Sequence, residues 1–128
     1  MRTKNYLSGK RAFTLIEIMI VVTIIGLLAV IAVTNWMLAR DTSRLNVIRR
    51  NLREIDAAKE QWALEKKQPE GTAVSGVADL SEYLRGGHVN EVVQETYVPN
   101  PVGIPPTATL PTGVKLRQYG PGATISAP

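Results

Sequence analysis

Cysteine is absent from the 128-residue sequence, which excludes disulfide bonds and thiolate metal sites. Aromatic side chains are scarce, with one Phe, two Trp and four Tyr to fill a core. His88 is the single histidine, and it follows Gly86-Gly87 without the partners that a zinc site or a general base requires. Phosphate-binding loops, dinucleotide fingerprints and nucleophile elbows are also missing. These absences predict a protein that is not an enzyme and uses no cofactor.

Acidic side chains are missing from residues 1–12, which carry four of the 15 basic residues. From residue 13 onward, 11 basic side chains balance 11 acidic ones. The net charge of +4 therefore belongs to the N-terminal tail. A protein that binds nucleic acid is expected to carry its excess positive charge on its folded part. We therefore predict no nucleic-acid partner.

Residues 13–33 form a long apolar run of 21 residues with a single charge, Glu17. As a helix this run is about 30 Å long, which matches the hydrocarbon thickness of a bilayer. A secretory signal peptide has a shorter apolar region that ends in a small-residue cleavage site, and Val30-Ile31-Ala32 matches such a site poorly. The run favours a retained membrane anchor. The alternative is a secreted domain that begins near Val33.

Glu17 is the residue of the apolar run that most needs an explanation. An ionised carboxylate costs about 2.5–3.5 kcal/mol at the centre of a bilayer and less near a helix end. Glu17 is therefore either an interfacial residue that reaches the headgroups, or it pairs with a positive charge inside the membrane. A new amino terminus, created by cleavage just upstream, would supply that charge. Basic residues flank the run on both sides, so charge counting leaves its orientation open.

Residues 10–33, KRAFTLIEIMIVVTIIGLLAVIAV, resemble the signature of type IV prepilins and type II secretion pseudopilins. The basic leader, Phe13, Glu17 and the apolar helix all occur in register. The resemblance implies that residues 1–12 are a leader ending in Arg11 and Ala12. A prepilin peptidase would cut between Ala12 and Phe13, and Phe13 would then be N-methylated. Glu17 would meet the terminal amine of a neighbouring subunit.

The resemblance also implies partners and a location. The subunit would wait in the bacterial inner membrane as a single-pass protein, with its C-terminal part outside the cytoplasm. An inner-membrane assembly platform would then add it to a helical homo-oligomeric filament. Two positions depart from the usual family pattern, because Ala12 replaces a glycine before the cut and Thr34 stands where many members have a proline. Gly26 occupies the place of a helix-weakening glycine that contributes to assembly.

Beyond the membrane run, apolar residues recur with helical spacing. They are Leu45, Ile48, Leu52, Ile55 and Trp62. Their steps of three, four, three and seven place them on one helical face, which Lys59 interrupts. Leu52, Ile55 and Trp62 are predicted to be the face on which a small domain packs.

The long helix is predicted to run from about Phe13 to Lys66, since no glycine or proline occurs between Leu27 and Gln68. It would consist of a membrane half over 13–33 and an amphipathic half over 34–67. The remaining residues, 68–128, would form a small extracytoplasmic pilin-like domain with a loose C-terminal part. The expected fold class is α+β.

Within the small domain, the patterns are weaker. Spacing predicts a short helix over 77–84 that stops at Gly86-Gly87. Strands are predicted over 91–98 and 114–119, whereas five prolines forbid regular structure over much of 99–113. Residues from Pro121 onward are predicted to be a loose tail.

The acidic residues of this region do not form a metal-binding motif. Asp79, Glu82, Glu91 and Glu95 lack the spacing of a calcium loop. We therefore assign no metal site, although major pseudopilins can bind calcium in their C-terminal region and the sequence leaves that property open. The favoured function is a structural subunit of a type II secretion pseudopilus or a type IV pilus. The alternative is an uncleaved single-span anchor that presents a small binding domain in the cell envelope.

Overall fold

The computed structural model of the protein describes residues 12–127. These residues divide into two compact units, the first ending at Trp36 and the second beginning at Met37. One α-helix, α1 (Leu15–Glu65, 51 residues), contributes to both units. A small three-stranded sheet and a 3-10 helix complete the second unit. The prediction of an α+β protein with one long N-terminal helix and a small C-terminal domain is confirmed.

Three threonines bind backbone carbonyls of α1 without interrupting the helix. The hydroxyls of Thr23, Thr34 and Thr42 donate hydrogen bonds to the carbonyls of Met19, Ile31 and Leu38 at 2.7, 3.0 and 2.8 Å. Such bonds within the helix satisfy hydroxyl groups that would otherwise be costly beside apolar neighbours. The helix therefore continues through Thr34.

The C-terminal end of α1 is a Schellman motif. The N–H of Gln68 donates to the carbonyl of Ala63 at 2.8 Å, and the N–H of Lys67 to that of Leu64 at 3.4 Å. Lys67 has a φ of 53°, the left-handed conformation that this motif requires and that glycine usually supplies. The helix ends at Glu65, one residue before the predicted end.

Strands β1 (Thr96–Val98), β2 (Thr107–Thr109) and β3 (Thr124–Ser126) form an antiparallel sheet in the order β1-β2-β3. In the central strand, Ala108 lies opposite Tyr97 on one side and Ile125 on the other. Ala108 and Ile125 are buried, whereas their neighbours in the strands, Thr107 and Thr109 in β2 and Thr124 and Ser126 in β3, are half-buried or exposed. The sheet therefore presents one apolar face to α1, as the period of two in a half-buried strand requires.

Two apolar clusters hold the second unit together. In the first, Leu45, Ile48 and Leu52 of α1 pack with residues of the sheet and of the loops beside it. Those residues are Ala108, Leu110, Leu116 and Ile125. In the second, Ile55 and Ala58 pack with Leu80 and Leu84. The sheet thus covers one part of α1 and the 77–84 segment covers the next.

The short helix predicted over 77–84 forms in part. A 3-10 helix spans Val77–Leu80, and the chain then continues in turns, with the N–H of Leu84 donating to the carbonyl of Leu80 at 3.0 Å. Gly86 and Gly87 follow with φ values of 89° and 77°, which a side chain would disfavour. The short helix was predicted to stop at this glycine pair, and the turns that follow the 3-10 helix end there.

Several strand predictions were wrong in detail. The strand predicted over 91–98 is limited to β1, because Gln94 has a φ of 63° and the carboxylate of Glu95 binds the preceding backbone. Residues 114–119 do not form a strand, and a single bridge joins Leu116 and Tyr119 across a tight turn. Extended structure there would have required pairing over the whole segment.

The other two strands lie where regular structure was not predicted. β2 occupies three proline-free residues inside 99–113, between Pro106 and Leu110. β3 lies within the segment predicted to be a loose tail after Pro121. Both strands are stabilised by pairing with residues that are distant in sequence, which local propensity does not report.

Lys59 was predicted to interrupt the apolar face of α1 because of its charge. It does not, because it is buried together with that face. Its side chain is 1% exposed. The ammonium group donates to the carbonyls of Pro99, at 3.1 Å, and of Ile104, and lies 3.1 Å from Oδ1 of Asp56. A buried charge is tolerated when such partners satisfy it. Lys59 therefore holds the 99–104 loop against α1.

Candidate functional site

The start of α1 is a capping box, the arrangement in which residues at the first turn of a helix satisfy each other's free N–H groups. The N–H of Glu17 donates to Oγ1 of Thr14 at 3.3 Å. In return, the N–H of Thr14 donates to Oε2 of Glu17 at 3.2 Å, and its hydroxyl lies 3.3 Å from the same oxygen. Thr14-x-x-Glu17 is the sequence pattern of this motif. Sequence analysis missed it, although the spacing was visible.

The capping box gives the Glu17 carboxylate a partner within its own chain. It also places the negative charge in the first turn, where the helix dipole is positive. All three hydrogen bonds lie in an exposed region. The carboxylate therefore remains accessible to a further cation from outside the chain.

The predicted processing residues lie at the boundary of the described chain. Arg11 lies outside the described residues. Ala12, Phe13 and Thr14 have no regular secondary structure, and both Ala12 and Phe13 are exposed. A peptidase needs an accessible, non-helical peptide bond, and the Ala12–Phe13 bond has both properties.

The described part of the first unit presents an exposed apolar surface. Exposure of its large apolar side chains ranges from 50% at Val21 to 79% at Phe13. An 18-residue window of α1 reaches a mean hydropathy of 2.9, long and apolar enough to cross a bilayer. A helix that is apolar all round is normally buried in lipid or in protein. The helix thus suggests a membrane anchor.

Gly26 lies within this apolar part of α1. A Cβ atom added there would meet no atom within 4 Å. The single chain therefore gives no packing reason for a glycine, which weakens a helix by about 1 kcal/mol relative to alanine. If Gly26 has a role in assembly, as proposed from the sequence, it would act through contacts with another chain.

The residues of the predicted packing face lie in the second unit. Leu52 and Ile55 are fully buried, the first in the cluster beneath the sheet and the second against Leu80 and Leu84. Trp62 is half-buried and packs against that second cluster. These three side chains therefore contact the small domain from α1.

A buried hydrogen-bond network joins the small domain to α1. Glu95 is 1% exposed, and its carboxylate accepts bonds from the N–H groups of Val92 and Val93 and from the hydroxyl of Tyr97 at 2.6 Å. Nδ2 of Asn51, on α1, donates to the hydroxyl oxygen of Tyr97 at 2.9 Å and to the carbonyl of Asn90 at 3.0 Å. The network fixes the segment before β1.

The network shifts the pKa values of both titratable members. Burial alone would raise the pKa of Glu95, but the bonds from Tyr97 and from the N–H groups of Val93 and Val92 outweigh it, so that this pKa is lowered. Burial, followed by the bond to Glu95, raises the pKa of the Tyr97 hydroxyl. Glu95 therefore stays ionised and Tyr97 stays protonated around neutral pH.

Glu95 is expected to make the second unit sensitive to acid. Because its pKa is lowered on folding, its contribution is present above the ordinary carboxyl pKa of about 4.3 and is lost as the pH falls through the folded value. Glu95→Gln should lower the free energy of unfolding at neutral pH by about 1.5–3 kcal/mol and flatten the acid limb. Near-ultraviolet circular dichroism of the full chain in detergent, recorded during heating at several pH values, measures both effects. Glu91→Gln, at an exposed neighbour, is the control, and an equal response of the two variants would contradict the assignment.

The remaining candidates for chemistry do not form a site. The ring of His88 is exposed, with Nδ1 2.9 Å from the carbonyl of Gly86 and Nε2 3.1 Å from Oδ1 of Asn90. Asp79, Glu82 and Glu91 are exposed, whereas Glu95 is buried in the network. Within residues 12–127, no three histidine or acidic side chains come together in a group that could hold a metal ion.

The fold, with its long exposed apolar helix and small β domain, is that of a pilin-like α+β protein. Comparison with known families gives a match of residues 7–33 to the family described as the prokaryotic N-terminal methylation motif. This segment contains Ala12, Phe13, Glu17 and Gly26. These findings confirm the resemblance to type IV prepilins that was inferred from the sequence.

Among curated proteins, the chain is similar to the type IV major pilin protein PilA of Myxococcus xanthus (strain DK1622). The two are 39% identical over 66 residues, which is 52% of this chain and 30% of that protein. The chain thus spans less than a third of the relative's length. No solved structure matches the chain significantly. The comparisons support a structural subunit of the pilus or pseudopilus type.

Proposed function

We propose that this protein is processed between Ala12 and Phe13 by a prepilin peptidase, N-methylated on Phe13, and polymerised through α1 into a pilus-like filament. The observation that carries the proposal is the pairing of an exposed apolar helix with a single carboxylate, Glu17, at its first turn. Both lie inside the matched methylation motif.

The exposed apolar surface supports polymerisation. Within the described residues, the apolar window of α1 is 0% buried. Before assembly, lipid would cover this surface. In the filament, α1 helices of neighbouring subunits would cover it, and Gly26 would let two helices approach closely. The same surface can therefore serve both the waiting subunit and the filament.

Glu17 supports an ordered docking step. Cleavage after Ala12 would create an ammonium group on Phe13, next to the Thr14 that already binds Glu17 in the capping box. An incoming carboxylate and the amine of a neighbour attract strongly where water is excluded. Only a subunit placed at the correct depth would bring the two charges together. Glu17 would thereby set the register between subunits.

The orientation and partners follow from the proposal. The basic leader would lie in the cytoplasm, on the side where the prepilin peptidase would cut. The second unit would lie outside the cytoplasm, and an assembly platform in the inner membrane would extract the processed subunit. The proposal has two versions: the filament is either a type IV pilus or a type II secretion pseudopilus. The curated relative is a type IV major pilin, whereas the small domain without a disulfide loop favours a pseudopilin.

Processing is expected to give a defined change in mass. The full chain, expressed with a prepilin peptidase and extracted from membranes, should have the mass of residues 13–128 plus one methyl group. Without the peptidase it should keep the mass of residues 1–128. Alanine is small enough for a tight protease subsite, so Ala12→Gly should be cut at an equal or higher rate. Intact-mass spectrometry measures all three products.

One alternative function is favoured by a specific residue. Ala12 stands where the family usually has glycine, and a peptidase that rejects alanine would leave the chain uncut. The protein would then be a single-span anchor for its small domain, and Glu17 would be dispensable. An uncut chain in the presence of an active peptidase, with Ala12→Gly processed normally, would favour this alternative.

A further inference from the structure

The side of α1 that faces away from the small domain carries a continuous row of exposed side chains in the second unit. The members of this row follow one another in alternating steps of four and three residues. They are Asn46, Arg50, Arg53, Ala57, Glu60 and Leu64. Such steps keep a row on one side of a helix. We refer to these six residues as the outer stripe.

Charges of opposite sign are separated along the α1 segment of the second unit. Residues 40–53 contain five arginines and one aspartate. Residues 54–65 contain four acidic side chains and a single lysine, which is buried beside Asp56. On the outer stripe the sign changes between Arg53 and Glu60. Complementary charges of this kind favour contact between molecules that lie side by side and are shifted along the helix axis.

The charges of the outer stripe have no ionic partner within their own chain. No ion pair among residues 12–127 includes Arg50, Arg53 or Glu60. Nε of Arg53 donates to the carbonyl of Arg49 at 3.4 Å. Arg49 and Arg50 lie four and three residues before Arg53, so their guanidinium groups repel that of Arg53 on the helix. A carboxylate from another chain would offset this repulsion.

A shift of seven residues brings the opposite charges together in two parallel copies. Seven residues span about 10.5 Å and nearly two turns of a helix, so the two outer stripes still face each other. Arg53 of one copy then lies level with Glu60 of the other, and Ala57 of the first lies level with Leu64 of the second. Leu64 is 80% exposed in the single chain and would be covered in this contact. Without a shift, Arg53 would face Arg53 and Glu60 would face Glu60, and both pairs repel.

We propose that successive copies of this chain contact each other in parallel through their outer stripes, with a shift of seven residues. The proposal rests on polymerisation through α1, as proposed above, and adds which residues of the second unit meet. Copies anchored in one membrane would point in the same direction, which favours the parallel contact. Each copy would use Arg53 and Ala57 towards one neighbour and Glu60 and Leu64 towards the next. Such a contact is heterologous and leaves both ends free to add subunits.

The absence of cysteine from the sequence allows the shift to be measured by disulfide formation. Ala57→Cys combined with Leu64→Cys keeps every charge and places two thiols at each proposed contact. In cells that supply a prepilin peptidase and a filament assembly system, oxidation of the assembled full chain should give a ladder of covalent multimers in denaturing gels. Ala57→Cys combined with Gln61→Cys is the matched control. Its thiols would meet at a shift of four residues, about 4.5 Å away from the proposed one, and it should give no ladder.

Charge reversal in the Ala57→Cys, Leu64→Cys chain tests the ion pair itself. Arg53→Glu should reduce the ladder by about fivefold at low salt, the upper limit for an exposed ion pair, and by less at high salt. Glu60→Arg alone should have the same effect, and the two reversals together should restore the ladder. Arg53→Glu also removes the repulsion from Arg49 and Arg50, so the second unit should unfold at the same or a higher temperature.

Three results would overturn the outer-stripe contact while leaving polymerisation in place. They are filaments that give no ladder from the Ala57→Cys, Leu64→Cys chain, a ladder from the control pair, and a ladder that charge reversal leaves unchanged. Covalent dimers without larger multimers would also overturn it, because they would indicate an isologous contact. Electron microscopy of the unaltered chain reports on polymerisation separately. A processed chain, verified by intact mass, that forms no filaments would overturn both proposals.

Discussion

Glu17→Ala is expected to abolish filament formation while membrane insertion is retained or improved. The substitution removes a carboxylate from an apolar helix, so the cost of placing that charge in the bilayer disappears. It also removes the partner that the new amine of Phe13 would meet in a neighbouring subunit. A charge pair shielded from water contributes well over the roughly 1.4 kcal/mol that corresponds to a tenfold change. Filament yield should therefore fall by more than about tenfold.

The capping box complicates this variant, because Glu17 also stabilises the start of α1 through Thr14. Loss of a cap costs about 0.5–2 kcal/mol. Two further variants separate the roles. Glu17→Gln removes the charge, but glutamine can still occupy this position of a capping box. Thr14→Ala removes the cap and keeps the charge.

Charge pairing predicts that Glu17→Gln assembles as poorly as Glu17→Ala and that Thr14→Ala assembles substantially better. Electron microscopy of sheared filaments, together with fractionation of the membrane pool, measures assembly and insertion separately. Normal filaments from Glu17→Gln would show that the carboxylate acts through the cap and not through its charge. Equal processing of all three variants, checked by mass, is needed to assign the defect to assembly.

Helix α1 could be predicted from the sequence because its signals are local. An apolar run of 21 residues and the absence of glycine and proline after Leu27 determine a long helix without reference to any other segment. Its end was predicted to within one residue, since Gln68-Pro69 stops a helix by simple chain geometry. The Thr14-x-x-Glu17 capping box was equally local. It was missed because Glu17 was considered only as a charge in a membrane.

The sheet could not be predicted because its pairing is non-local. Thr107–Thr109 is only three residues long and lies among prolines, yet it is the central strand. Its position depends on the burial of Ala108 against Leu45 and Ile48, some 60 residues earlier. Residues 114–119 were predicted to form a strand, but the left-handed Arg117 between Leu116 and Tyr119 makes a turn.

The burial of Lys59 could not be predicted either, because its hydrogen-bond partners are distant in the sequence. A lysine in an apolar stripe is normally assigned to the edge of the buried face, with its charge in water. Its partners, the carbonyls of Pro99 and Ile104, are backbone groups of a loop 40 and 45 residues away. Every residue has a backbone carbonyl, so the pattern of residue types does not indicate which carbonyls will accept these hydrogen bonds. The buried ammonium was therefore unpredictable from the sequence, although it connects the loop to α1.

Lys59→Met should lower the free energy of unfolding of the second unit by about 2–4 kcal/mol. The methionine side chain is unbranched and one heavy atom shorter than that of lysine, so the substitution leaves only a small cavity. Replacing a buried ion pair by apolar groups can be neutral or stabilising when both partners are replaced. Here two of the acceptors are backbone carbonyls, which no side-chain substitution removes. Each buried acceptor left without a donor costs about 1–3 kcal/mol.

Two considerations set the expected size of this loss below the upper limit. Asp56 is 38% exposed, so water can solvate its carboxylate when the ammonium is gone. Methionine also avoids the free-energy cost of removing an ammonium group from water, and this offsets a further part of the lost stability. The unpaired carbonyl of Pro99, a buried residue, has no such relief. The 99–104 loop should therefore loosen first and weaken β1 and β2, which it joins.

Hydrogen exchange of the full chain in detergent micelles tests this prediction locally. Amides of β2 and of the loop should exchange faster in Lys59→Met, whereas amides in the apolar part of α1 should be unaffected. Lys66→Met removes the same charge at an exposed position near the helix end, and it should change stability by less than about 0.5 kcal/mol. If Lys59→Met matched that control, the two carbonyls would have found other donors, and the loop would be held by packing alone. Since the second unit begins after the apolar run, Lys59→Met should still be cut at Ala12–Phe13, so any failure to assemble would then lie in the small domain.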